Sequence, residues 1–267
     1  REEAPMSRPA LGLALGGGAV LGFAHLGLLE ALEEDGIRPD LLSGTSAGAL
    51  VAALFAFGTA PRRIQELLVP LTWRKVSDFS RTSLGLLSNA SIGRMLAEEL
   101  GDVDIRDSPV PLAIIAADIH TGEAVFLRDG PLGDAVRASA AIPGLYAPVP
   151  IGGRLLVDGG IVENVPVRPL QEMGADVIVA ATLGEALDFQ PVRTLVGVLT
   201  NAFLIAVNTA TRLDLKAGVD VLVEPKLEVY NHWDLRQREQ LIERGRDAGR
   251  EARPRIRAAI EAATAGG

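Results

Sequence analysis

One serine, one aspartate and three consecutive glycines carry most of the chemistry this sequence offers. Ser46 is the centre of Gly44-Thr45-Ser46-Ala47-Gly48, a G-x-S-x-G pentapeptide. An apolar run enters it from Leu41, and an alanine-rich run leaves it through Phe57. That order predicts a nucleophile elbow, a strand-to-helix turn tight enough to push the serine hydroxyl out of the fold. Gly44 and Gly48 have a steric reason, because the residues two before and two after the serine face each other across such a turn. The helix starting at Ala47 points its positive end at the serine and favours an anion forming there. Gly16-Gly17-Gly18 offer a second anion site, since the N–H groups of consecutive glycines converge with no Cβ in the way.

Acyl transfer also needs a base. The chain has three histidines, His25, His120 and His232, and no cysteine. Thiolate chemistry, disulfides and cysteine zinc sites are therefore excluded. His232 lies near Asp234, and His120 follows Asp118 at a strand end. His25 sits about two turns into a helix, where it is expected to pack or cap. The other option is a carboxylate. Asp158 ends a strand and is released by Gly159-Gly160. Burial raises a carboxyl pKa towards useful values, and one hydrogen bond to Ser46 would position it. A plain Asp-Gly-Gly turn is the bland alternative. The residues alone leave a histidine base and a carboxylate base both open. The run Gly16 to Gly22 also fits a dinucleotide fingerprint loosely. No P-loop lysine follows, and no acidic residue ends the next strand in the usual place.

The elements that must position these groups read as an α/β chain. Leu11–Leu15 is an apolar strand, Ala19 onward has helical spacing up to Gly36, and 37–43 returns as a strand. This βαβ unit makes the two strands parallel neighbours, so the glycine loop and the serine turn leave the same carboxyl edge. Further strands are expected at 112–119, 124–128, 154–157, 176–182 and 219–224. Helices are expected at 61–71, 91–100, 131–139 and 167–173. The stretch 72–90 is weakly patterned, with Trp73, Leu84, Leu86 and Leu87 among polar residues, and reads either as a lid or as a loop whose apolar residues pack down. From Thr194 to Thr211 there is no Asp, Glu, Lys or Arg. That run reads as a buried or interface helix, with membrane contact as the alternative. Residues 235–263 read as a charged surface helix pair broken near Pro254, with Glu33, Glu34 and Asp35 solvated elsewhere on the surface.

Composition sets the outer limits. The chain has 267 residues, 48% of them hydrophobic, which is enough to bury a large core. A formal net charge of -8 and the lack of a basic stripe argue against nucleic acid as a partner. The absence of cysteine fits a reducing compartment, so a cytoplasmic location, peripheral at a membrane, is the expectation. Residues 1–10 lack a signal-peptide pattern and are expected to be a disordered lead-in. Residues 11–267 are expected to form one domain, with 225–267 as its charged helical part.

Taken in order, four blocks resemble the patatin-like phospholipases. They are Gly16-Gly17-Gly18 with Gly22 and His25, the Ser46 pentapeptide, Arg137-Ala138-Ser139 leading into Ile142-Pro143-Gly144, and Asp158-Gly159-Gly160. The resemblance runs from about Leu11 to Pro169. It implies a three-layer α/β/α fold with a mostly parallel central sheet. It implies a Ser46–Asp158 dyad without a catalytic histidine, and an oxyanion hole formed by Gly16, Gly17, Gly18 and Ala19. Gly22, Gly44, Gly48, Gly159 and Gly160 would support these motifs. The implied activity is hydrolysis of acyl esters of glycerophospholipids and related lipids, with no cofactor and no metal. A patatin-like fold that only binds lipid or protein is the alternative function, and a homo-oligomer is compatible with either. One position departs from the family pattern: Leu21 stands where a basic residue is usual. A preference for neutral esters or lysophospholipids is the expectation that follows.

Overall fold

The computed structural model describes residues 8–80, 84–184 and 192–266. Short apolar runs build its centre. β1 (Leu11–Leu15) leads through a single turn at Ala19–Gly22 into α1 (Phe23–Glu34). β2 (Leu41–Thr45) passes directly into α2 (Ala47–Ala56). α3 (Pro61–Leu68), a short α4 (Trp73–Val76), the two-residue strands β3 (Asp78–Phe79) and β4 (Leu87–Ser88), and α5 (Ala90–Leu100) follow. β5 (Leu112–Asp118) and β6 (Ala124–Leu127) form a hairpin, as do β7 (Val149–Ile151) and β8 (Arg154–Asp158), with α6 (Leu132–Ser139) between them. α7 (Arg168–Glu172), β9 (Val177–Ala181), α8 (Leu195–Asp214), β10 (Val221–Val223) and α9 (Arg238–Gly266) complete the described order.

The main sheet runs β10-β9-β1-β2-β5-β8-β7, with β6 also on β5. The pairs from β10 to β5 are parallel, and β6, β7 and β8 add antiparallel strands. β1, β2, β5 and β9 are buried along their whole length, because helices cover both faces. The strand alternation sorts β1 between them. Leu11, Leu13 and Leu15 share a core with residues of α1, α2 and α9, while Ala14 packs with Val167 and Leu170.

One detail of register decides where the site forms. β2 pairs with β5 up to Thr45 opposite Ile115. β8 pairs with β5 from the other direction and ends with Asp158 opposite Ala116. β6 takes one edge of β5 over residues 114–117. A strand has only two edges, so β2 and β8 share the other edge and meet end to end there. The residue after β2 and the last residue of β8 are thereby forced together.

The C-terminal stretch differs from its sequence reading. It is one helix rather than a broken pair, with Pro254 inside it and Ala252 and Ile256 fully buried on either side of the proline. Glycines bring α9 onto α1 backbone to backbone. A Cβ on Gly27 would collide with the Ile242 carbonyl oxygen, and one on Gly245 with that of Ala24. Arginines of α9 pair with the acidic end of α1: Arg246 with Glu30, Arg250 with Glu34, and Arg253 with Asp35. Glu34 and Asp35 are therefore ion-paired rather than simply solvated. Docking energy along the whole helix outweighs the local tendency of a proline to end it. At the other end, residues 1–7 lie outside the described ones, but Arg8 pairs with Asp40, and the Ala10 N–H donates to Asp176 at 2.7 Å, so 8–10 are tied to the sheet. The 72–90 stretch contains α4 and the β3–β4 ribbon, and residues 81–83 of it lie outside the described ones.

Candidate active site

Ser46 occupies the turn between β2 and α2 with φ 54 and ψ −120, a conformation that L side chains rarely adopt. Its N–H donates to Ser139 Oγ at 2.8 Å, and that bond ties the turn to the end of α6. A Cβ on Gly44 would lie 2.6 Å from the Gly48 carbonyl oxygen, as the elbow requires. Gly48 has a different constraint, because its Cβ would strike the Leu15 carbonyl at the end of β1.

Ser46 Oγ donates to Asp158 Oδ2 at 2.7 Å. The other carboxylate oxygen accepts the Gly160 N–H at 2.9 Å. Asp158 is fully buried. Removal from water pushes its carboxyl up to about 7, against the opposing pull of the hydrogen bonds from Ser46 and Gly160. Gly159 lets the chain pass β5, since a Cβ there would collide with the Ile115 carbonyl oxygen. A hydroxyl held against a carboxylate poised near neutrality can lose its proton to it, so this geometry suits nucleophilic attack.

The glycine loop divides its donors. The Gly16 N–H donates to the Ala181 carbonyl at 3.0 Å and the Gly17 N–H to the Asn164 carbonyl at 3.2 Å. These two N–H groups are consumed by the fold and cannot serve an oxyanion, which corrects the four-residue expectation. Gly18 and Ala19 remain, and their N–H groups have no acceptor among the described residues. Ala19 is left-handed with φ 48, and the next residue, Val20, donates its N–H to the His232 carbonyl at 3.1 Å. Gly22 brings the loop onto the serine turn, where an added Cβ would sit 2.5 Å from Ala47 Cβ.

The histidines fall into place around this centre without bridging it. His25 is buried and bonds the Gly16 carbonyl through Nε2 at 2.8 Å. Burial lowers its pKa to about 4, so it is neutral near pH 7 and donates that bond. His120 is exposed. His232 is buried beside the serine, but the Asp234 carboxylate is engaged by Arg236, and Ser46 Oγ bonds directly to Asp158. Among the described residues, no three His, Asp or Glu side chains converge as metal ligands.

Two contributors carry no local signal in the sequence. Ser139 belongs to one of the ordered blocks, yet nothing near it announces a bond to the Ser46 backbone. Asn164 is in no motif. Its Nδ2 donates to Thr211 Oγ1 at 2.9 Å and to the Gly17 carbonyl at 3.4 Å, while its own N–H donates to Asp214 Oδ2 at 2.7 Å. It therefore links the glycine loop, the segment after Asp158 and α8. Leu21 is also explained by packing. It is buried with Leu183, Leu227 and Leu241, so apolar contact with the C-terminal part anchors the loop.

Ser46 stands where two cavities meet. One is apolar, about 150 Å³, and runs past Leu50, Val51, Leu68, Leu71 and Ile92. The other, about 30 Å³, contains Asp158, Asn164, Asn208 and His232. Ile142 and Trp233 line both.

Comparison with known proteins agrees with this layout. A family model described as patatin-like phospholipase matches residues 13–170. The chain is 36% identical over 196 residues to an uncharacterized NTE family protein of Mycobacterium tuberculosis, covering 69% of this chain and 53% of that one. It is 34% identical over 209 residues to lysophospholipase NTE1 of Candida glabrata, covering 76% of this chain and 12% of that one. The chain thus spans about half the length of the bacterial relative and a small part of the fungal one. In structure it is similar to VipD from Legionella pneumophila, with a TM-score of 0.62 at 14% identity over 96% of this chain and 67% of that one. This last likeness is one of fold: a mostly parallel sheet between helical layers.

Proposed function

The chain belongs to the patatin-like phospholipase family, and from that premise we propose that it is a lipid acyl hydrolase using Ser46 and Asp158. The observation that carries this reading is the 2.7 Å bond from Ser46 Oγ to Asp158 Oδ2 inside a buried site. In the first step the Ser46 proton passes to Asp158 as Oγ attacks the ester carbonyl. The resulting oxyanion is held by the Gly18 and Ala19 N–H groups, aided by the positive end of α2. Asp158 then returns the proton to the leaving alcohol, and the acyl group stays on Ser46. In the second step Asp158 takes a proton from water, hydroxide adds to the acyl carbon, and the acid is released as Ser46 regains its proton. A carboxyl with a pKa of about 7 can serve as both base and acid in this cycle.

The two cavities suggest how the substrate lies. The apolar cavity suits the acyl chain, because Leu50, Val51 and Leu68 offer it no polar group to desolvate. The smaller cavity holds Asp158 and has room for about two waters, which suits the hydrolytic water. With Leu21 buried in an apolar cluster, that position supplies no cation for a phosphate. The missing cation favours neutral esters, and the single apolar cavity suits single-chain substrates such as lysophospholipids.

The test is labelling by a fluorophosphonate together with hydrolysis of a short-chain ester. Wild type should label once and turn over. Ser46→Ala should lose the label and at least 1,000-fold of the rate, an order-of-magnitude expectation for loss of a nucleophile. Hydrolysis that survives in Ser46→Ala would overturn the proposal.

A further inference from the structure

Beyond the cavities, large apolar side chains lie exposed on two segments that flank Ser46. On α8, Leu195 is 74% exposed, Val198 50%, Ile205 57% and Leu213 62%. At 100° per residue these fall on one side of the helix, and Leu204, Val207 and Thr211 fall on the buried side. The buried side rests on the turn after Asp158, where Val207 packs against Gly160 and Thr211 accepts from Asn164. On the other flank Trp73, Leu84 and Leu86 are exposed, and Trp73 also lines the apolar cavity. Apart from Val192, just ahead of α8, only Ile119 and Val229 among the described residues are large, apolar and exposed elsewhere.

We propose that the outer side of α8 and the stretches 73–78 and 84–88 form one docking face for a lipid surface. This rests on the acyl-hydrolase reading, since it concerns how an aggregated substrate reaches Ser46. The occupant follows from position and charge. Both segments line the cavities that contain Ser46, so a second protein copy seated on them would obstruct the approach of substrate. The outer side of α8 has no charged residue from 194 to 211, while Arg74 and Lys75 follow Trp73 and Arg212 precedes Leu213, so the apolar face is edged by basic side chains. Apolar insertion therefore provides the binding, with basic side chains at the edge of the face placed to meet lipid phosphates. α8 lies on the protein along its buried side, so it rests in the interface plane rather than crossing the membrane. Large apolar side chains exposed on both sides of one site mark an interaction surface rather than one facing only water.

Co-sedimentation with phosphatidylcholine vesicles tests the face, using Val198→Glu/Ile205→Glu on α8 and Leu86→Glu on the opposite flank. Wild type should bind, and each variant should partition at least ten-fold less. Turnover of a water-soluble short-chain ester should stay within two-fold of wild type in the same variants. If the α8 variant fails to fold by circular dichroism, Leu86→Glu decides alone. Absence of wild-type vesicle binding, unchanged binding in a folded variant, or a solution dimer that the variants dissociate would each overturn the proposal. Absence of wild-type ester turnover would instead count against the acyl-hydrolase reading and leave the vesicle result to stand by itself.

Discussion

Ser46 and Asp158 are 112 residues apart in the chain, yet the hydroxyl of one lies 2.7 Å from the carboxylate of the other. The cause is the shared edge of β5. Ile115 holds Thr45 and Ala116 holds Asp158, so two strands that approach from opposite directions end at adjacent residues. The serine then turns outward on its glycines, and the aspartate stays buried under it.

Replacing that aspartate by its neutral isostere separates function from stability. Asp158→Asn keeps an oxygen for the Gly160 N–H but cannot take the serine proton, and kcat should fall about 1,000-fold or more. Its stability should rise. A carboxyl whose folded pKa is about 7, above its unfolded value of 3.8, binds its proton more tightly when folded. Its contribution therefore becomes less favourable as pH rises from about 4 to about 7, and the full cost is present above 7. The ceiling on that cost is about 4 kcal/mol. Thermal unfolding at pH 8 should place Asp158→Asn above wild type in Tm, with the gap closing towards pH 4.

On the proposed mechanism the same carboxyl sets the pH dependence of the reaction. Only its ionised form accepts the serine proton, so kcat/KM for a soluble ester should climb about ten-fold per pH unit below about 7 and level off above it. His25, neutral near pH 7, adds no second limb in that range. A profile that is flat from pH 5 to pH 8 would contradict Asp158 as the base.

Ser139 offers a test of the elbow itself. Ser139→Ala leaves the buried Ser46 N–H without an acceptor, which costs about 1–3 kcal/mol. The serine turn then loses the bond that holds its strained backbone. Urea unfolding should show the stability loss, and kcat should drop about 10- to 100-fold with KM little changed.

His232 distinguishes a dyad from a triad. His232→Ala should keep kcat within about ten-fold of wild type, because Ser46 already bonds the carboxylate directly. A triad base removed in this way would cost about 10,000-fold or more. Steady-state turnover of a short-chain ester gives the answer.

Much of this molecule is legible along the chain. Short apolar runs at Leu11–Leu15 and Leu112–Asp118 announce buried strands, and Ser46 between two glycines announces a strand-to-helix turn, because these depend on neighbours within a few residues. The ends of the chain are less legible. Arg-rich α9 looks like a surface helix broken at Pro254, until Gly27 and Gly245 let it seat on α1 over its whole length. No local pattern encodes a contact across more than 200 residues.

The site divides in the same way. By itself the sequence determined which groups are available: one serine between two glycines, one glycine-released aspartate, a donor-rich loop and no thiol. Only the tertiary structure decided which of them work together. It consumed the Gly16 and Gly17 N–H groups in holding the sheet and left those of Gly18 and Ala19 without an acceptor among the described residues. It recruited Ser139 and Asn164, and it buried Asp158 deeply enough to bring its carboxyl to about 7. The physical reason is that hydrogen-bond saturation and desolvation are properties of the packed surroundings, and those surroundings come from strands and helices far apart in the chain.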